Sequence, residues 1–313
     1  MNQKSFTLIE ILVVIVIIGI LSAFIIVSMA GVSSKATIAK GQAFSNSLKN
    51  SLLLNLVSEW KLDGDANDSW SGGNNGTWYG AGGGANTTAN YRPSSECVSG
   101  QCLDFDGTDD YISVNSGNVT LNLNNGYSLE GWAKYDDLTG NRSLLRRYPS
   151  DNGGWFIFAY RNAGTAVNYI FCAVVYTNTD NATQGLLPGN YIQKDKWYHF
   201  VLTVEANGVS KFYINGVAGN PLTPVNFLKL GGNTATSTTE FKIGGNGWLI
   251  DGLIDGVRIY DTAIPTSQIQ QNYFLGLNSL YKNGGLTQIE YTQRLTKLKT
   301  FQARPTVPAI DNI

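Results

Sequence analysis

The chain has 313 residues, with 22 basic and 23 acidic side chains and a formal net charge of -1. No basic excess exists to hold nucleic acid by its phosphates; the single histidine, His199, excludes a multi-histidine metal centre, and three cysteines exclude a zinc-finger framework or a disulfide-dense scaffold. Charged residues are 14% and glycines number 35, against about a quarter charged and roughly 7% Gly in ordinary soluble domains, a balance that points to a β-rich exported domain.

The charge is unevenly divided. Residues 1–57 carry a net +3, residues 58–275 a net -7 and residues 276–313 a net +3. The N-terminal part opens Met-Asn-Gln-Lys-Ser and continues into FTLIEILVVIVIIGILSAFIIVSMAG, with no charged residue from Ile11 to Ser34. About 20 residues of helix cross a bilayer core, so this stretch is long enough to span a membrane. It is longer than the apolar core of a secretory signal, and Glu10 sits where such a signal carries positive charge. A plain membrane anchor explains the length but not a carboxylate at its edge, which is costly there and tends to be functional. Beyond the apolar run, Ile38, Phe44, Leu48, Leu52 and Val57 recur at near-helical spacing, so a single helix over residues 6–57 is expected, roughly 78 Å long.

Lys4-Ser5 followed by Phe6-Thr7-Leu8-Ile9-Glu10 and the apolar helix resembles the N-terminus of type IV pilins and type II secretion pseudopilins. The resemblance implies a leader at residues 1–5, cleavage between Ser5 and Phe6, N-methylation of Phe6 and an assembly role for Glu10. It also implies entry into the inner membrane as a precursor, then display on an extracellular pilus or pseudopilus filament. The implied partners are prepilin peptidase, inner-membrane assembly machinery and other copies of the chain. The family usually has Gly where Ser5 stands and often Pro where Val27 stands. From Phe6 to Ser34 there is no Lys or Arg. Cleavage would create the missing cation, the amino group of Phe6, within reach of Glu10 on the same or a neighbouring subunit.

From Ser58 the composition turns to Gly, Asn, Thr, Tyr and Trp. Short β-prone runs are predicted at Tyr111–Val114, Tyr127–Tyr135, Trp155–Arg161, Asn168–Tyr176, Trp197–Glu205, Val209–Ile214, Glu240–Ile243 and Leu253–Asp261. Asn-Gly pairs at 125–126, 207–208, 215–216 and 246–247 suit tight hairpin turns. Short strands without intervening helices predict an antiparallel sandwich or jelly roll over 58–275. Trp60-Lys61-Leu62-Asp63-Gly64, Cys102-Leu103-Asp104-Phe105-Asp106-Gly107, Tyr127-Ser128-Leu129-Glu130-Gly131-Trp132, Trp197-Tyr198-His199-Phe200, Phe212-Tyr213-Ile214-Asn215-Gly216 and Gly252-Leu253-Ile254-Asp255-Gly256-Val257-Arg258-Ile259-Tyr260 together resemble the laminin-G-like, concanavalin-A-like jelly rolls. That resemblance implies a structural calcium held by Asp63, the Gly107 carbonyl and Asp255, though each of the three also reads as part of a turn dipeptide.

No pair of closely spaced carboxylates is present for glycoside hydrolysis: Glu59, Glu96, Glu130, Glu205 and Glu240 are scattered. His199, set among Trp197, Tyr198 and Phe200, reads as a scaffold residue, and no catalytic residue is assigned. Trp70, Trp78, Tyr79, Tyr148, Trp155 and Tyr160 lie near turn-rich segments, where aromatics stack on sugars or fill cores; the glycan-binding residues stay unassigned. Cys97 and Cys102 suit a local disulfide in a domain outside the cytoplasm, or two thiols in a turn. Residues 276–313 have helical spacing at Leu277, Leu280 and Tyr281 and again at Ile289, Tyr291, Leu295 and Leu298, broken by Asn283-Gly284-Gly285. The expectation is an α+β chain: a long N-terminal transmembrane helix, an antiparallel β-sandwich jelly roll and a short, partly helical tail. Its function is that of a filament subunit displaying the sandwich, with a minor tip adhesin binding a glycan or protein, and a membrane-anchored polysaccharide-acting enzyme, as alternatives.

Overall fold

The computed structural model describes residues 55–70, 73–80, 84–85, 90–114, 126–147, 155–161, 169–176, 181–184, 192–206, 209–219, 241–245 and 248–302. The expected leader and nearly all of the expected helix over 6–57, with Ser5, Phe6 and Glu10, lie outside these residues. No helix among the described residues is long and apolar enough to cross a membrane.

Two antiparallel sheets face each other. In the first the order is β14 (Val217–Ala218), β13 (Ser210–Ile214), β12 (Trp197–Val204), β7 (Tyr127–Tyr135), β16 (Asp251–Tyr260), β5 (Cys102–Asp106) and β4 (Asn90–Arg92), with β1 (Leu56–Trp60) paired to the second half of β16. In the second it is β11 (Asn181–Gln184), β10 (Tyr169–Tyr176), β9 (Trp155–Arg161), β8 (Arg142–Arg147), β15 (Phe241–Ile243), β6 (Tyr111–Val114), β2 (Gly76–Gly80) and β3 (Gly84–Ala85). The expected stalk therefore ends too late: Leu56 and Val57 are in β1, where Leu56 is buried opposite Tyr260 rather than continuing a helix.

Side chains alternate across each strand. Phe200, Leu202 and Val204 of β12 point between the sheets, with Phe105 of β5, Leu129 of β7 and Ile112, Leu145 and Ile243 of the second sheet. Trp60 meets Phe241 and Trp78 meets Phe105, each with ring centroids 5.3 Å apart, tying the two sheets by tilted aromatic pairs.

The outer face of the first sheet is also covered. α1 (Thr266–Lys282) and α2 (Gln288–Gln302) lie against it. Ile269, Tyr273, Leu277 and Leu280 of α1 recur on one helical stripe and are all buried. Gly276 lets α1 approach closely: a Cβ there would come within 2.3 Å of the Trp132 ring. The break between helices falls at Asn283 and Gly284, the latter at φ +84°, and Thr287 Oγ1 accepts the Glu290 N–H at 3.2 Å to start α2. The described residues from Asn55 onward belong to one compact unit. The expected boundary at 275/276 thus cuts through α1, and the helical tail belongs to the sandwich's own packing.

β16 contains the irregularity that matters most for chemistry. Gly256 adopts φ +58° and the register against β7 shifts between Asp255 and Arg258. Before the shift Asp255 lies opposite Trp132; after it Arg258 lies opposite Glu130. An extra residue in a strand reverses the alternation beyond it. Asp255 and Arg258 consequently share the outer face, which regular pleating would have denied them.

Candidate functional site

Of the three expected calcium ligands, two are brought together. The Asp255 carboxylate is 2% exposed and accepts the N–H groups of Val98 at 2.8 Å and Ser99 at 3.0 Å. Asp63 accepts the N–H of Gln101 in the same loop, and a Cβ on Gly100 would collide with the Asp63 carboxylate. That loop is closed by a disulfide between Cys97 and Cys102, whose Cα atoms are 5.4 Å apart. Burial, with a smaller contribution from the Asp63 charge, pushes the Asp255 carboxyl up to about 8 against the two N–H bonds. Two carboxylates thus meet over one short loop, each with an oxygen that does not bond the loop, a donor set that suits a hard divalent cation.

Gly107 is not part of this arrangement. β5 separates it from Asp255: Asp106 pairs with Asp251 while Leu103 pairs with Ile254, so Gly107 lies at the opposite end of the strand. A Cβ on Gly107 would meet the side chain of Asp251 at 2.8 Å. Near Gly107, Asp106, Asp109 and Asp110 form a second acidic group. Asp106 accepts the N–H of Thr108 at 2.8 Å, Asp110 accepts the N–H of Asp106 at 2.9 Å, and burial, helped by the neighbouring carboxylates, raises the Asp110 carboxyl to about 6.

Sequence spacing missed a buried polar cluster under α1. Glu130 accepts hydrogen bonds from His199 Nε2 at 2.9 Å, Tyr260 Oη at 2.8 Å and Asn272 Nδ2 of α1 at 2.9 Å. Arg258 approaches Glu130 at 3.6 Å and donates to Glu59 at 2.7 Å. Burial opposes the Glu130 charge, but the bond to His199, the Arg258 guanidinium and the Tyr260 hydroxyl outweigh it and hold the carboxyl down at about 2. Glu59 and Glu130, far apart in sequence, meet across one guanidinium. Glu130 and His199 are 1% and 0% exposed, so no substrate reaches them; the cluster joins α1 to the sheet.

The aromatic candidates divide. Trp70 is 43% exposed, Trp78 is core, and Tyr79 is half-buried in a stack on Tyr111 with centroids 4.9 Å apart. Trp248, also 43% exposed, was not singled out by spacing. Trp155 and Tyr160 fall in β9, whose side chains, apart from Ile157, are outside the description, as is Tyr148 altogether.

The prokaryotic N-terminal methylation motif matches residues 1–26, and the model of the concanavalin A-like lectin/glucanases superfamily matches residues 106–270. No curated protein matches the chain. Among solved structures, domain 4 of AbnA, a GH43 extracellular arabinanase from Geobacillus stearothermophilus, in complex with arabinotriose, is similar at 25% identity and TM-score 0.52, covering 69% of this chain and 97% of that domain. The binding domain of Paraclostridial Mosquitocidal Protein 1 is similar at 16% identity and TM-score 0.51, over 72% of this chain and 53% of its own. The receptor binding domain of botulinum neurotoxin C/D mosaic serotype is similar at 14% identity and TM-score 0.51, over 71% and 51%. The chain spans about half the length of these toxin domains, and at such identities they share the fold. With the superfamily model covering more than half of its length, and two packed antiparallel sheets beneath that match, the chain belongs to the concanavalin A-like lectin/glucanases superfamily.

Proposed function

We propose that the chain is a pilin-like surface subunit that carries a lectin-type sandwich outward on a filament and binds a glycan through it. The observation that carries this reading is the pairing, in one chain, of a methylation motif at residues 1–26 with a superfamily match at 106–270. Leader removal between Ser5 and Phe6 by prepilin peptidase, N-methylation of Phe6 and pairing of its amine with Glu10 are parts of this reading, which the motif at residues 1–26 supports. The likeness to the AbnA domain, solved with arabinotriose, supports a sugar ligand for the sandwich. No catalytic role is assigned to it, because Glu59 and Glu130 are engaged with Arg258. Calcium belongs to the same proposal, held by Asp63 and Asp255 at the disulfide loop, where it would supply charge compensation and fasten the start of the sandwich to its last strand.

Negative-stain microscopy of sheared surface filaments, with peptide identification, tests the assembly. Filaments containing the chain, and their loss with Glu10→Gln while leader removal continues, are the expected result; the chain recovered only as a monomer in the membrane fraction would contradict it. A carbohydrate array probed with residues 55–313, with a parallel hydrolysis assay, tests the ligand: binding without cleavage is expected.

A further inference from the structure

The segment between β1 and β2 alternates in exposure. Asp65, Asn67 and Ser69 are exposed, while Ala66 and Asp68 between them are buried. The inward residues anchor it: the Asp68 carboxylate accepts the N–H of Glu59 at 3.1 Å and of Trp70 at 3.0 Å, and Asp68 pairs with Trp60 as an isolated bridge. The outward residues share one side. Asn67 donates its backbone N–H to Asp65 Oδ1 at 3.0 Å, an Asx turn that leads into the exposed amide. That side-chain amide makes no hydrogen bond among the described residues.

Asn67-Asp68-Ser69 has the Asn-x-Ser/Thr form of an N-glycosylation acceptor. The same form occurs at Asn75, Asn86, Asn118, Asn141 and Asn181, but in the sequence only Asn67 follows an acidic residue by two positions. The structure separates the described ones further. Asn75 Oδ1 is occupied by the Asp68 N–H at 3.0 Å, and Ser143, the hydroxyl partner of Asn141, is 0% exposed. Asn86, Asn118 and the side chain of Asn181 lie outside the described residues. We propose that Asn67 is a glycan attachment site, with Asp65 and Ser69 as the groups by which a transferase recognises it. The donor is an oligosaccharide linked to a polyprenyl diphosphate. The Asn67 amide nitrogen forms a bond to the anomeric carbon and gives up one proton; the bond from that carbon to the diphosphate oxygen breaks, and the polyprenyl diphosphate leaves with its electron pair. The Asp65 carboxylate offers a transferase guanidinium a charge-assisted bond. In the folded chain Ser69 Oγ donates to the Glu59 carbonyl at 3.0 Å, so transfer belongs to export, before β1 and this segment join. The folded domain then carries the glycan outward, since Asn67 faces solvent. This inference goes beyond the glycan-binding reading and needs only a domain outside the cytoplasm, in keeping with the Cys97–Cys102 disulfide.

The test expresses the full chain in a bacterium that carries a single-subunit oligosaccharyltransferase and its polyprenyl-diphosphate-linked oligosaccharide, beside a control acceptor protein. Intact mass gives occupancy, and electron-transfer fragmentation locates the sugar, because Asn67, Asn75 and Asn86 share one tryptic peptide between Lys61 and Arg92. One glycan on Asn67 is expected, absent in Asn67→Gln and kept in Ser69→Thr. Asp65→Asn, which keeps the turn's acceptor oxygen and removes its charge, and Ser69→Ala should each lower occupancy about tenfold or more, as loss of one strong hydrogen bond implies. Melting curves confirm that the variants fold. A wild-type chain that has formed its disulfide yet carries no glycan on Asn67, while the control acceptor is modified, overturns the assignment. So does a glycan that survives Asn67→Gln, or occupancy in Asp65→Asn equal to wild type.

Discussion

Glu130 is the residue on which the helix-covered face is most exposed to damage. Its carboxylate accepts from His199, Tyr260 and Asn272 and faces Arg258. Removing one partner of a buried charged network leaves the others unpaired, at a cost of about 3–5 kcal/mol. Glu130→Ala should therefore lower the unfolding free energy by about 3 kcal/mol in urea denaturation, and a loss below about 1 kcal/mol would show that water replaces the carboxylate. Asp255 behaves oppositely. Its folded-state carboxyl is raised to about 8 from an ordinary value near 3.8. Between those values the unfolded chain has released the proton that the folded chain keeps, so this group's contribution is full in acid and is lost as pH rises toward 8. Without calcium, the melting temperature should fall from pH 5 to pH 8 in the wild type, and more shallowly in Asp255→Asn. Saturating calcium should raise the wild-type value at pH 8 and leave Asp255→Asn unmoved. A wild-type melting curve that is the same with calcium and with chelator would remove the metal from the account.

At the level of elements, the close contact between α1 and β7 is set by one glycine. Gly276 sits over Trp132, and overpacking a filled interface costs typically 1–3 kcal/mol. Gly276→Leu should destabilise by about 2 kcal/mol, and hydrogen exchange should locate the loss in α1 and α2 before the inter-sheet core. Uniform loss across both sheets would mean that the helices and the sandwich unfold as one. Much of this layer was legible in advance. β6, β7 and β9 fall on the expected residues because β-branched and aromatic runs are bounded there by turn residues. β2, β4, β8 and β14 are short or rich in polar residues, and form because a neighbouring strand offers its edge. Both C-terminal helices were visible in their spacing, but not where the first begins: Thr266 to Leu275 carries little apolar periodicity until Ile269 and Tyr273 are seen against the sheet.

Over the whole molecule, what sequence could not supply was the relation between distant residues. The convergence of Asp63 and Asp255 was expected from family likeness, yet their meeting place, a five-residue step from Cys97 to Cys102 closed by a disulfide, required the fold. Gly107 fell away because a strand's length separates it from them, which a motif written in sequence order does not display. Glu130 meets Arg258 only because the Gly256 bulge turns both Asp255 and Arg258 outward. The account of function depends on processing at the other end of the chain, where the methylation motif matches residues 1–26. Mass spectrometry of the N-terminal peptide of the protein recovered from sheared surface filaments tests it most directly. The account predicts a chain beginning at Phe6 with an N-methyl group on its amine. A surface-recovered chain beginning at Met1, or one beginning beyond Ala30 after signal-type cleavage, would contradict it.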